Sequence, residues 1–174
     1  MANLDFPQGF VPVRYRNSSM DLSCEVGLMN PTHDEIGLYD LVERRTDGYI
    51  HRAQASSVTI LGVAAEHVAA NATGEIKYYP TEGLLMHAQA SGNEIDAIDD
   101  FDLVYNIVAT APSATTGRSQ MEIDSSTGAA TATLPIKILR VVPVESQAGN
   151  ALGANVLLEC VLNEGAIKGA GLVG

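Results

Sequence analysis

A chain of 174 residues, 46% of them hydrophobic, is long enough to bury a core and too apolar to be disordered, so one domain with an arm or tail is expected. A net charge of −11, from 21 acidic and 10 basic residues, argues against nucleic acid or an anionic membrane as partner, because binding phosphate needs clustered Lys and Arg. No apolar run approaches the roughly 20 residues that span a bilayer. The opening MANLDFPQGF also lacks the basic start and apolar stretch of a secretory signal, so synthesis in a cytoplasm is expected.

Residues 1–20 read as an extended arm. Pro7, Gly9 and Pro12 interrupt any regular element, yet Leu4, Phe6, Phe10, Val11, Val13 and Tyr15 are apolar where a free tail would be polar. Such a segment docks on another surface or lies across its own domain as an edge strand, and the residues leave both open. Arg14 and Arg16 against Asp5 make this end mildly basic in an acidic chain.

Short extended pieces follow at Leu22–Met29, Ile36–Val42, Tyr49–Ala53 and Val58–Ala65, with a charged turn at Arg44–Gly48. ILGVAA within the fourth has branched residues without helical spacing and reads as a buried strand. Glu75–Tyr79 and Leu84–Ala90 look like a strand pair around Pro80–Gly83. Ser91–Asp102 reads as a short acidic helix. Leu103–Ala109, Gln120–Asp124, Ala132–Val142 and Asn155–Leu162 complete the strands, and Asn163–Gly174 forms a Gly-rich tail.

The clearest pattern is Ala132, Leu134, Ile136 and Ile138 alternating with Thr133, Pro135 and Lys137, a half-buried strand. Pro135 has no N–H to give a ladder, so it belongs at an edge or a bulge. After Ile138 the alternation slips to Leu139 and Val141, which a β-bulge produces, although burial on both faces would look the same. The expected fold is all-β, a sandwich or jelly-roll-like barrel over residues 21–162, with the arm at 1–20 and the tail at 163–174.

Candidate chemistry is sparse. The acids Glu94, Asp96, Asp99, Asp100 and Asp102 could offer oxygens to a hard cation, but they lack the Gly and closing Glu of a calcium loop and read as the solvated face of a short helix. His33, His51, His67 and His87 have no metal-ligand spacing, and no serine sits in a nucleophile elbow. Asp124–Gly128 reads as a turn whose Asp and Ser bond their own backbone rather than as an anion site. Cys24 and Cys160, both in apolar surroundings, are expected to be buried thiols. No catalytic, cofactor or metal site is expected, and no enzyme.

The start FPQGFVPVRYRNSS, the blocks SSVTILGVAAE, KYYPTEGLLMHAQAS and DLVYNIVAT, and above all GRSQMEIDSSTGAATATLPIKILRVV followed by NVLLECVLNEG resemble, in order and over most of the chain, the capsid decoration (cement) proteins of tailed bacteriophages. Relatives often carry Pro-Trp just after the arm, where this chain has Ser19-Met20. The resemblance implies a mostly β homotrimer on the outer capsid surface of a virion, assembled in the bacterial cytoplasm, that bridges major capsid protein subunits and stabilises the shell. Neither nucleic acid nor membrane is expected as a partner, on the charge argument above. The arm is then the expected contact with capsid or sister subunit, through Phe6, Phe10, Val11, Val13, Arg14, Tyr15 and Arg16, since aromatic and Arg residues make the strongest anchors. The alternative is a carbohydrate-binding β-sandwich module on the virion surface, disfavoured by only three Phe, six Tyr and no Trp.

Overall fold

The computed structural model describes residues 3–16, 21–55, 57, 59–92, 95–131, 133–143 and 150–163. Among the described residues eleven strands form two antiparallel sheets packed as a sandwich, with one 3-10 turn beside them. The strands are β1 (Val11–Tyr15), β2 (Glu25–Leu28), β3 (Leu41–Arg44), β4 (Ile50–Arg52), β5 (Ile60–Ala64), β6 (Glu75–Pro80), β7 (Leu84–Gln89), β8 (Val104–Val108), β9 (Glu122–Ala129), β10 (Ile136–Val141) and β11 (Leu157–Leu162); the 3-10 turn is Ile98–Asp102. One sheet runs β1-β7-β11-β10-β8-β9 and the other β2-β6-β5-β3-β4.

The main core lies between the sheets. Alternate residues Leu84, Met86 and Ala88 of β7, and Leu158, Cys160 and Leu162 of β11, point into it. They meet Leu41, Ile60 and Val63 from the five-stranded sheet, and Phe10 from the segment before β1. A second cluster, Met29, Ile36, Val42, Ile50, Ala64, Ile76 and Tyr78, fills the far side of the five-stranded sheet. That sheet therefore has apolar residues on both faces, which is why ILGVAA carries no polar alternation.

Both sheets curl. Met29 at the end of β2 bridges Ile50 of β4, bringing the two edges of the five-stranded sheet together. Gly27 permits this approach, since a Cβ there would sit 2.6 Å from Ile50 Cγ1. In the other sheet Ala90, just after β7, bridges Ile123 of β9.

Several sequence expectations change in detail. β6 and β7 are not a hairpin: Pro80–Gly83 carries the chain from one sheet to the other, and β6 pairs with β2 and β5 while β7 pairs with β1 and β11. The slip after Ile138 is a bulge, with Ile138 opposite Cys160 and Arg140 opposite Glu159. Pro135 is not at an edge. It is buried just before β10, which lies between β8 and β11, and its carbonyl accepts the Asn163 N–H at 2.7 Å. Asp124–Gly128 bulges out within β9, since Val104 faces Ala129 and Asn106 faces Asp124. There the expected local bonds occur: Ser126 N–H and Oγ donate to Asp124 Oδ1, and Thr127 Oγ1 donates to the Asp124 carbonyl. Ala132 and Val58, expected to open strands, lie outside the described residues, as does the tail beyond Asn163.

A buried ionic junction ties the two sheets. Asp40, fully buried just before β3, accepts Gly37 N–H at 2.7 Å and Arg52 Nε at 3.1 Å on Oδ2. Arg52 Nη2 donates across to the carbonyls of Ala109 (2.8 Å) and Thr110, at the end of β8.

Candidate docking face

Val11–Tyr15 is the edge strand of the six-stranded sheet, antiparallel to β7 with Val11 opposite His87 and Tyr15 opposite Leu84. Pro12 is tolerated there because an edge strand has one side free of ladder bonds. Val11, Val13 and Tyr15 are half-buried, and Arg14 and Arg16 are exposed. Phe10 is fully buried in the main core and its N–H donates to Tyr39 O, so of the residues expected to contact a partner it is the one the fold withdraws. Gly9 makes the bend before it, with φ +76 and room for no Cβ: Ser119 Cβ would lie 2.3 Å away.

Residues 3–8 run on as a strap over the outer face of this sheet, held by polar bonds. Gln89, almost completely buried on β7, donates from Nε2 to Leu4 O (2.6 Å) and Asn155 O (3.0 Å) and accepts the Phe6 N–H on Oε1 (3.0 Å). The Asn3 side chain donates to Ala151 O and Ala154 O and accepts Ala151 N–H. Arg118 Nη1 donates to Gln8 Oε1 at 3.2 Å. The two large apolar side chains of the strap gain little from this arrangement: Leu4 is 73% and Phe6 62% exposed.

Open space flanks the strap. On one side a cleft of about 260 Å³ lies between Leu4, Phe6 and Val11 and the β7 and β11 residues His87, Gln89 and Leu157. On the other a cleft of about 460 Å³ is lined by Asp5, Phe6, Arg118 and Glu122 among others. Burial, reinforced by the negative charge of Asp5, pushes the Glu122 carboxyl up.

Next to the first cleft is a charged row that sequence reading missed. Arg140 of β10 grips Glu159 of β11 in a two-pronged contact, Nε to Oε1 and Nη2 to Oε2, each 3.1 Å. His87 Nε2 of β7 stands 3.7 Å from Glu159 Oε2. Burial would raise the Glu159 carboxyl, but bonding to Arg140 and the charges of Arg140, Arg14 and His87 hold it below its ordinary value. Burial lowers His87, which Glu159 only partly offsets. The bulge at Ile138/Arg140 brings Arg140 opposite Glu159, so the phase slip was the available signal.

The remaining candidates have structural roles. Asp100 Oδ2 accepts the N–H groups of Asp96 and Ala97 and caps the 3-10 turn, while Asp96, Asp99 and Asp102 face solvent; Glu94 lies outside the described residues. His33 is buried between the carbonyls of Asp34 and Ala72, His51 bonds Asp47, and His67 bonds Glu35. Among the described residues no three His, Cys, Asp or Glu side chains converge as a metal site. Cys160 is buried in the core as expected, but Cys24 is exposed, because it precedes β2 and no core element covers it. No protein family and no curated protein matches the chain.

Proposed function

We propose that this protein decorates and stabilises the outer shell of a tailed bacteriophage, bridging major capsid protein subunits, as a homotrimer without enzymatic activity. The reading rests on the ordered sequence blocks that resemble decoration proteins. The observation that carries it is the strap: Leu4 and Phe6 stand exposed on a segment fixed by polar bonds, an arrangement that leaves apolar surface for another molecule. A cement benefits from many modest contacts, since each additional contact on one particle forms at high effective concentration.

The test is co-sedimentation of full-length protein with expanded shells that lack their decoration. Removing residues 1–16 would strip Phe10 from the core and β1 from β7, so the informative variant is Leu4→Ser/Phe6→Ser. It should melt like the wild type and lose at least about tenfold in shell affinity, the scale expected of central apolar anchors. Undiminished decoration by that variant would overturn the role of the strap, and wild-type protein that binds no shell would overturn the function.

A further inference from the structure

The strap crosses the seam where the end of β7 meets β9, since Gln89 holds it and the next residue, Ala90, bridges Ile123. Ile123 enters the main core, so alternation turns Glu122 and Asp124 of β9 outward. Glu122 thereby lines the cleft of about 460 Å³ together with Asp5, Phe6 and Gln8 of the strap. It is partly buried, and among the described residues its carboxyl has neither a hydrogen bond nor an ion pair. A desolvated carboxyl without a partner, beside a second carboxyl, is a poor place for a charge. The groups around it do not relieve this. Asp5 faces it from the strap, and Asp124 adds a further negative charge on β9. Arg118, from the loop before β9, lines the same cleft, but its Nη1 donates to Gln8 Oε1 at 3.2 Å. β8 sets uncharged Val108 and Asn106 opposite Glu122 and Asp124, and the end of β7 brings only Ala90 and Ser91 against Ile123. Burial and the Asp5 charge both raise the Glu122 carboxyl, and no cation lowers it.

We propose that residues 3–8 form a proton-operated latch, closed on the sheet when Glu122 is neutral and loosened when Glu122 is ionised. The device belongs to the isolated chain and does not depend on the decoration reading. Gly9 is packed against Ser119 and Phe10 is buried in the core, so the movement is confined to the strap. Lifting the strap carries Asp5 away and rehydrates Glu122, which returns the carboxyl toward its ordinary value. A carboxyl that binds its proton more readily with the strap closed stabilises closure as pH falls from above the closed-state value toward the open-state one. The bonds that hold the strap through Gln89 and Asn3 involve amides, which do not titrate. On the other flank the titratable group is His87, which lines the cleft of about 260 Å³ beside Glu159, Arg140 and Arg14. Burial lowers His87, so its protonation would loosen the strap on acidification, the opposite sign.

The test is native-state hydrogen exchange of full-length protein from neutral to mildly acidic pH, with each rate divided into that of an unstructured peptide at the same pH. Two amides report on the strap directly: Phe6 N–H, bonded to Gln89 Oε1, and Ala151 N–H, bonded to Asn3 Oδ1. In the wild type their protection should rise about two- to fivefold on acidification, the scale of a partly exposed charge interaction. Protection in β10 and β11 should stay level. Glu122→Gln should hold the strap at its acid-state protection throughout and abolish the pH response. Asp5→Asn should raise protection at neutral pH and reduce the response, because it removes one of the two causes. Strap protection that is independent of pH, or that falls on acidification, overturns the proposal. So does a rise matched in β10 and β11, which would mark a change in the whole fold, or a response that survives in Glu122→Gln. If the response disappears in His87→Asn instead, the switch lies on the other flank and Glu122 is not its sensor. No shell enters the measurement, so its failure leaves the decoration reading in place.

Discussion

The junction of Asp40 and Arg52 allows a quantitative prediction for Arg52→Met. Asp40 is fully buried, and Oδ1 makes no hydrogen bond of normal geometry, so its charge depends on Arg52 Nε at 3.1 Å and Gly37 N–H at 2.7 Å on Oδ2. At that separation an effective dielectric constant of about 20 gives roughly 5 kcal/mol of attraction. Methionine keeps much of the volume and removes the charge, and leaving one buried partner uncompensated costs about 3–5 kcal/mol in proteins generally. Urea denaturation of Arg52→Met should therefore show that loss at neutral pH. The double variant Asp40→Asn/Arg52→Met should recover a substantial part of it, because Asn still accepts from Gly37 and no buried charge is left unpaired, while Ala109 and Thr110, whose carbonyls lose the Arg52 donor, are not buried residues. Burial raises the Asp40 carboxyl, and the neighbouring Ser119 hydroxyl, Gly37 N–H and Arg52 lower it only in part. A carboxyl raised in the folded state binds its proton more readily there than in the unfolded chain. Native stability from this group thus increases as pH falls from above the folded value toward the unfolded one. Without Arg52 the carboxyl rises further, so the deficit of the single variant should shrink as the solution is acidified from neutral pH. A loss below about 1 kcal/mol, or a deficit that grows on acidification, would refute the view of Arg52 as the compensating charge of a buried carboxylate.

Gly62→Ala should destabilise by about 1–3 kcal/mol in urea melts, because the added Cβ would meet Tyr78 Cδ2 at 2.3 Å and Tyr79 O at 2.7 Å between β5 and β6; a change under about 0.5 kcal/mol would show that Tyr78 can give way. Gln89→Leu removes the bonds to Leu4 and Phe6 and should speed amide exchange at Phe6 and proteolysis within residues 4–8, with the exchange of β10 and β11 little changed. Protection spread uniformly lower would mean that Gln89 supports the whole sheet rather than the strap. An aromatic disulfide reagent should modify one of the two thiols in the native protein, exposed Cys24, and reach Cys160 only on unfolding, since complete burial raises that thiol far above its ordinary value.

The sequence made local features legible where a residue's own chemistry decides them. The slip after Ile138 marks the bulge because it shifts alternation within one strand, and Asp124 with Ser126 forms its local turn through adjacent groups. Features decided by distant partners were not legible. Pro80–Gly83 has turn chemistry whether the next strand returns to the same sheet or crosses to the other, and only the apolar matching of β7 with β1 and β11 settles it. Phe6 and Phe10 look alike in an apolar, Pro-punctuated segment, yet the bend at Gly9 sends Phe10 into the core and leaves Phe6 outside. Gln89, Arg140 and Glu159 lie on three different strands, and nothing near any of them in sequence announces the others.

The separation between Phe6 and Phe10 bears on how the fold carries its apolar arm. A segment with this much apolar surface would invite aggregation if it hung free. Here residues 10–15 are committed to the sheet: Gly9 bends the chain, Phe10 after it fills the core, and β1 completes the ladder on β7. Among the described residues of the arm, Leu4 and Phe6 are the large apolar side chains left exposed, and the bonds that fix them, through Gln89 and Asn3, are polar. Such bonds are worth about 1 kcal/mol each in net terms and exchange readily for others of the same kind. The strap can thus open a few bonds at a time without disturbing β1. This division predicts an order of loss on destabilisation: protection at residues 4–8 should disappear well before β1 separates from β7. Simultaneous loss in native-state hydrogen exchange would show instead that strap and edge strand open as one unit.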